Sequence, residues 1–206
     1  MNAIKAIIFD LGRVLVDVKF DRQTARFFGV STNNTEDAAT ILDRAFQNEL
    51  FRKLNKGEIT SREFYEAFKN DFNLNLDFET FVQYWCDVFA PIPGMEELFW
   101  QVKRKYPVGL LSDTDELHWN YCREQFPFLK AIEKPTLSFE IGALKPDAKC
   151  YLKAAENVGF EVAECLFIDD RQVNVEGAQK VGMRAILFQG PEKLKEDFKK
   201  FGVMVD

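Results

Sequence analysis

Short apolar runs that end in a turn recur along the chain, at Ile4 to Phe9, Val108 to Leu111, Leu137 to Ile141, Cys165 to Ile168 and Met183 to Phe188. Runs of this length and continuity read as strands buried on both faces, and the first of them empties into Asp10 and Gly12. Helical patterns separate the later runs. Strands alternating with helices predict an α/β fold built on a mostly parallel sheet of five or more strands, Rossmann-like, with helices on both faces. In such sheets ligands meet the loops beyond the carboxyl ends of the strands.

The spacing of the first two runs is far longer than a crossover connection requires. The pattern between them is helical: Ile41, Leu42, Ala45 and Phe46 share one helical face. Thr60-Ser-Arg-Glu63 has the spacing of a capping box ahead of Phe64 and Phe68. Phe81, Val82, Trp85 and Phe89 form a further apolar stripe stopped by Pro91 and Pro93. An all-α cap domain over residues 17–89, inserted after the first strand, is therefore expected, with residues 1–16 and 90–206 forming the α/β core. A helix carrying Leu98, Phe99 and Val102 leads back into that core.

Composition narrows the chemistry. With 206 residues and 47% hydrophobic content, the chain buries a substantial core. Its 27 basic and 33 acidic residues give a net charge of −6, which argues against a nucleic-acid or anionic-membrane binder. No apolar stretch approaches the length of a membrane span and no signal peptide is recognisable, so a cytoplasmic protein is expected. Cys86, Cys122, Cys150 and Cys165 are too scattered for a zinc site and read as core thiols. The only histidine is His118, and there is no nucleophile elbow, which makes a Ser-His-Asp hydrolase improbable.

Four segments place polar groups at strand ends. Phe9-Asp10-Leu11-Gly12-Arg13 offers a carboxylate suited to a nucleophile or a metal ligand, and a glycine that permits close backbone approach. Leu111-Ser112-Asp113 supplies a hydroxyl and free amides suited to a phosphate, although either residue also suits a helix N-cap. Gly142-Ala-Leu-Lys145-Pro-Asp147 stations a lysine just before a helix that Pro146 is expected to begin. Ile168-Asp169-Asp170, followed by Asn174 and Gly177, sets adjacent carboxylates whose repulsion calls for a cation.

Taken together and in this order, these segments resemble the four motifs of the haloacid dehalogenase superfamily, in the branch with a helical cap between its first and second motifs. The Phe-Asp-Leu-Gly start is similar to that of a phosphatase group that includes bacterial enzymes acting on α-glucose 1-phosphate. The resemblance implies a magnesium-dependent phosphatase of a small, sugar phosphate-like metabolite, acting through an aspartyl-phosphate on Asp10. It implies magnesium ligation by Asp10, the Gly12 carbonyl and Asp170, with Asp169 a further ligand, direct or through water, or the group that orients Lys145, and phosphate binding by Ser112, Asp113 and Lys145. Arg13 and Asn174 would support the site. The expected partner is a phosphorylated small molecule, and the expected state a monomer or homodimer.

Two departures qualify that expectation. Many phosphatases of the family carry an aspartate two residues after the nucleophile as general acid and base, where this chain has Gly12. A leaving group needing little protonation, such as a glycosyl or acyl phosphate, a substitute carboxylate or water, or lost catalysis would each follow. Asp113 stands where relatives often have asparagine. The competing readings are a non-catalytic phosphometabolite-binding regulator and a halide-releasing hydrolase, the latter leaving Asp169 and Asp170 without a role.

Overall fold

The computed structural model describes residues 3–19 and 48–205. The predicted helical face at Ile41 to Phe46 lies outside the described residues. Five parallel strands form the central sheet: β1 (Ala6–Phe9), β4 (Val108–Ser112), β5 (Thr136–Leu137), β6 (Cys165–Asp169) and β7 (Arg184–Leu187), in the order β5-β4-β1-β6-β7. Phe9 pairs in register with Leu110 on one side and Ile168 on the other. That register brings Asp10, Ser112 and Asp169 to the same carboxyl edge, at the centre of the sheet.

Both faces are covered, which explains why β1 is apolar throughout rather than alternating. Ile7 and Phe9 pack on one face with Phe99 and Val102 of helix α4 (Met95–Lys103) and Phe198 of α9 (Pro191–Lys200). Ala6 and Ile8 face the other way, toward Tyr151 and Ala154 of α7 (Ala148–Val158) and Val175 of α8 (Gln172–Lys180).

A helical cap lies between two very short strands, β2 (Val16–Val18) and β3 (Phe89–Pro91). These pair antiparallel, with Val18 opposite Phe89, so the chain leaves and re-enters the core through one two-stranded ribbon. The described cap helices are α1 (Glu49–Asn55), α2 (Ser61–Asp71) and α3 (Phe78–Cys86). They close around Leu54, Phe64, Phe68, Phe81 and Trp85. The Thr60 and Glu63 capping box forms as expected at the start of α2. Among the described residues no helix is long and apolar enough to cross a membrane.

Local expectations needed correction in three places. Leu137 to Ile141 is not one strand: β5 stops at Leu137 and a short helix, α6 (Ser138–Ile141), follows at once, closed by Gly142 in the left-handed conformation. Phe89 does not extend the stripe of α3; it belongs to β3. Pro146 does not begin α7, because Asp147 is the N-cap and accepts from the Lys149 amide.

Candidate active site

Asp10 follows β1 directly, anchored by its amide on the Ile168 carbonyl at 2.9 Å. The Lys145 ammonium reaches across the sheet edge to Asp10 Oδ1 at 2.8 Å and Asp169 Oδ2 at 2.7 Å, and donates to the Leu111 carbonyl at 3.3 Å. The lysine is buried beside the Phe167 ring, far from the solvated fate usual for lysines. Its own backbone is positioned as well: the Lys145 amide donates to Asp113 Oδ1 at 3.0 Å. Asp113, next in sequence to Ser112, thus turns one oxygen onto the lysine loop. Ser112 is buried at the end of β4.

Asp169 is fully buried and saturated with donors. Its Oδ1 accepts from the Arg171 amide at 2.8 Å, and Asn174 Nδ2 lies 3.0 Å from each of its oxygens. Gly177, one turn after Asn174, brings α8 close to the lysine loop: a Cβ there would lie 2.6 Å from both Pro146 Cβ and the Tyr151 hydroxyl oxygen. That hydroxyl donates to the Asn174 carbonyl at 2.9 Å, tying α7 to α8 beneath the site.

Asp170 is half-buried beside Asp169. Arg13, on a left-handed backbone with φ of 59°, approaches it at 3.9 Å. Such a conformation in a residue other than glycine is a strained one of the kind that accumulates at functional sites. Asp10, Asp169 and Asp170 each offer a carboxylate oxygen, all within 4.8 Å of one another.

The electrostatics follow from this crowding. Burial is the largest influence on Asp10; with the nearby Asp169 carboxylate it outweighs the help of Lys145 and pushes the Asp10 pKa up to about 7. Asp113 and Asp170 are also raised, mainly by burial and further by Asp169. Burial opposes the Lys145 charge, yet Asp10, Asp169 and Asp113 more than compensate and hold it protonated. The donor set suits a magnesium ion: hard oxygens carrying more negative charge than one ammonium neutralises.

Gly12 lies where β2 folds back on the loop that follows Asp10, and a Cβ there would meet Val18 Cγ2 at 3.2 Å. The position of the missing acid is therefore partly filled by the ribbon. Sequence reasoning did not find Thr114 and Ser138, whose amide-to-hydroxyl and hydroxyl-to-carbonyl bonds of 2.9 and 3.0 Å clamp the loop after Ser112 to α6. Nor did it give Asp115 a role. Asp115, not Ser112 or Asp113, caps helix α5 (Glu116–Gln125); an aspartate three residues before the lone histidine was the available signal.

Comparison with known proteins identifies the family. The sequence profile of the haloacid dehalogenase-like hydrolases matches residues 4–182. A D-ribitol-5-phosphate phosphatase of Bacteroides thetaiotaomicron is 26% identical, over 87% of this chain and 89% of its own length. The chloroplast flavin mononucleotide hydrolase 1 of Arabidopsis thaliana is 24% identical, over 97% of this chain and 78% of its own. A crystal structure of a family enzyme from Bacteroides thetaiotaomicron, in complex with magnesium and inorganic phosphate, superposes with a TM-score of 0.83 at 25% identity, covering 95% of this chain and all of that one. The profile spans most of the chain and the described architecture agrees with it: the protein belongs to the haloacid dehalogenase-like hydrolases.

Proposed function

We propose that the chain hydrolyses the phosphate monoester of a small sugar- or polyol-like metabolite, with Asp10 as the nucleophile. It is a phosphatase, like the D-ribitol-5-phosphate phosphatase it resembles, and the observation that carries the assignment of roles is Lys145 held between Asp10 and Asp169 with Asp170 alongside. An Asp10 carboxylate oxygen attacks phosphorus as the bond from phosphorus to the leaving oxygen breaks. That oxygen leaves with a proton drawn from a water molecule, and a second water then cleaves the aspartyl-phosphate, returning that proton to solvent and giving inorganic phosphate and free Asp10.

Lys145 binds phosphoryl oxygens and offsets their charge, while Ser112 and the amides beyond β4 hold the others, since such transfer depends chiefly on alignment and neutralisation. Asp10, Asp170 and the Gly12 carbonyl would hold magnesium, which would neutralise charge developing on the phosphoryl group. Asp169 spends both oxygens on Lys145, Asn174 and the Arg171 amide, which favours its role as the group that orients Lys145 over direct ligation. The cap, residues 17–89 in our division, would select the leaving group. Four buried, unpaired cysteines favour a reducing compartment such as the cytoplasm.

Position 12 supplies no acid, which favours leaving groups that need little protonation. D-ribitol 5-phosphate and flavin mononucleotide instead both carry phosphate on the end of a ribityl chain, so the two chemistries make a sharp panel. The test is phosphate release from ribitol 5-phosphate, flavin mononucleotide, glucose 1-phosphate and acetyl phosphate, with magnesium or chelator, in native protein and Asp10→Asn. Magnesium-dependent release lost in the variant is expected. Magnesium-dependent binding of phosphate without turnover of any ester would instead favour the regulatory reading.

A further inference from the structure

Among the described residues, a second buried charge pair lies three residues past Ser112 and joins the core to the cap. His118, on α5, places Nδ1 2.9 Å from Asp115 Oδ2 and Nε2 2.9 Å from the backbone carbonyl of Trp85, in cap helix α3. The rings of Trp85 and His118 stack, with centroids 5.1 Å apart and planes within 6°. Trp85 Nε1 donates in turn to Asp115 Oδ2 at 3.2 Å, and the His118 amide donates to Asp115 Oδ1 at 2.9 Å.

The partners decide the protonation state. A backbone carbonyl only accepts, so Nε2 must carry a proton. Asp115 is fully buried, a cost to its charge that the two hydrogen bonds it already accepts, from the Trp85 indole and the His118 amide, offset; they favour its carboxylate form and make it an acceptor toward Nδ1 as well. A neutral imidazole has one N–H and would leave one of these short contacts between two acceptors. We infer that His118 is held as an imidazolium whose two N–H groups bolt cap helix α3 to the loop that carries Ser112, so that the seating of the cap depends on one buried proton.

The surroundings agree. Burial works against the His118 charge, but the Asp115 carboxylate raises its pKa overall; burial likewise works against Asp115, and His118 lowers its pKa overall. The neighbouring titratable groups are the Cys86 thiol of α3 and the Cys122 thiol of α5, both pushed far up by burial and hence neutral. Phe89 of β3 closes the remaining side edge-on, its ring centroid 5.1 Å from that of His118. A rise in pH through the His118 value removes one of the two ring protons, leaving either Asp115 or the Trp85 carbonyl without its donor. His118 is thus a positioning residue for the cap, and the inference does not depend on the hydrolytic reading.

Because the chain has a single histidine, its ring nitrogens are read by NMR in the native protein without competing signals. Both nitrogens are expected to be protonated at pH 7.5, where a free histidine with a pKa of about 6.5 is mostly neutral. A neutral ring at that pH would overturn the inference. Amide hydrogen exchange at pH 7.5 then compares native protein with His118→Gln, which keeps one donor, and His118→Phe, which keeps the stack alone. Exchange across Phe78–Cys86 about tenfold faster in both variants, with β1 and β6 unchanged, is expected, a fold-change equivalent to the loss of about one hydrogen bond. Unchanged exchange in Phe78–Cys86, or equal loosening of β1 and β6, would contradict it.

Discussion

Two buried charge arrays stand at the same end of the sheet and differ in balance. Around Lys145, one ammonium serves Asp10, Asp169 and Asp113, with Asp170 close by, and burial leaves Asp10, Asp113 and Asp170 harder to ionise than free carboxylates. Around Asp115, one carboxylate meets one imidazole and two further donors, and its pKa falls despite full burial. The first array has surplus negative charge that a cation would offset; the second is complete within the fold. A buried ionic cluster left unbalanced points to a ligand, whereas a balanced one points to architecture.

The largest expected effect breaks the first array. Asp10→Asn should lower the rate of phosphate release by at least about a thousandfold, as loss of a covalent nucleophile does. It should not lower the melting temperature of the metal-free protein, since it removes a carboxylate that burial disfavours. The sign is explicit: a carboxyl raised from 3.8 to about 7 holds an extra proton in the folded state, so its contribution falls as pH rises across that interval. Stability curves of the variant should lose that fall.

Breaking the second array should have the opposite character. His118→Ala leaves Asp115 buried without its counter-charge and should cost about 3–5 kcal/mol in urea unfolding, the range for one partner of a buried pair. The difference in stability between native protein and this variant should be greatest between pH 3.8 and 6.5. It should shrink as pH rises through the raised His118 value, and again as pH falls through the lowered Asp115 value.

Magnesium sharpens the contrast. At a hundredfold excess over its dissociation constant it should stabilise the native protein by about 2.7 kcal/mol. Asp170→Asn should lose most of that gain and His118→Gln should keep it, as followed by thermal melts with and without chelator. The smallest effect concerns the scaffold of the first array. Gly177→Ala favours the helix intrinsically, yet its methyl overlaps Pro146 and Tyr151, so a net loss of about 1–2 kcal/mol is expected in urea unfolding.

How much of this was legible in the sequence follows from range. The parallel strands and the four loops at their ends announce themselves because each is a continuous run with its own turn chemistry, and the resemblance joins them. The ribbon of Val16–Val18 and Phe89–Pro91 does not, because each strand is three residues long and pairs only through a contact across the whole cap. Leu137 to Ile141 was misread because an apolar run that short does not distinguish a strand from a strand passing into a helical turn. His118 figures in the sequence only as the lone histidine that makes a Ser-His-Asp hydrolase improbable. Its part emerges only when the Trp85 carbonyl, 33 residues earlier, arrives at Nε2. The commitment of Asp113 to the Lys145 amide is hidden for the same reason, being a bond across 32 residues.

The central claim is that Asp10 carries the phosphoryl group. Native protein mixed in excess with a turned-over phosphate ester labelled on phosphorus, then quenched in acid within one turnover, should retain label that alkali releases and that maps to the peptide containing Asp10. Asp10→Asn should retain none. Inorganic phosphate formed at full rate without labelled protein, or undiminished in the variant, would contradict the account.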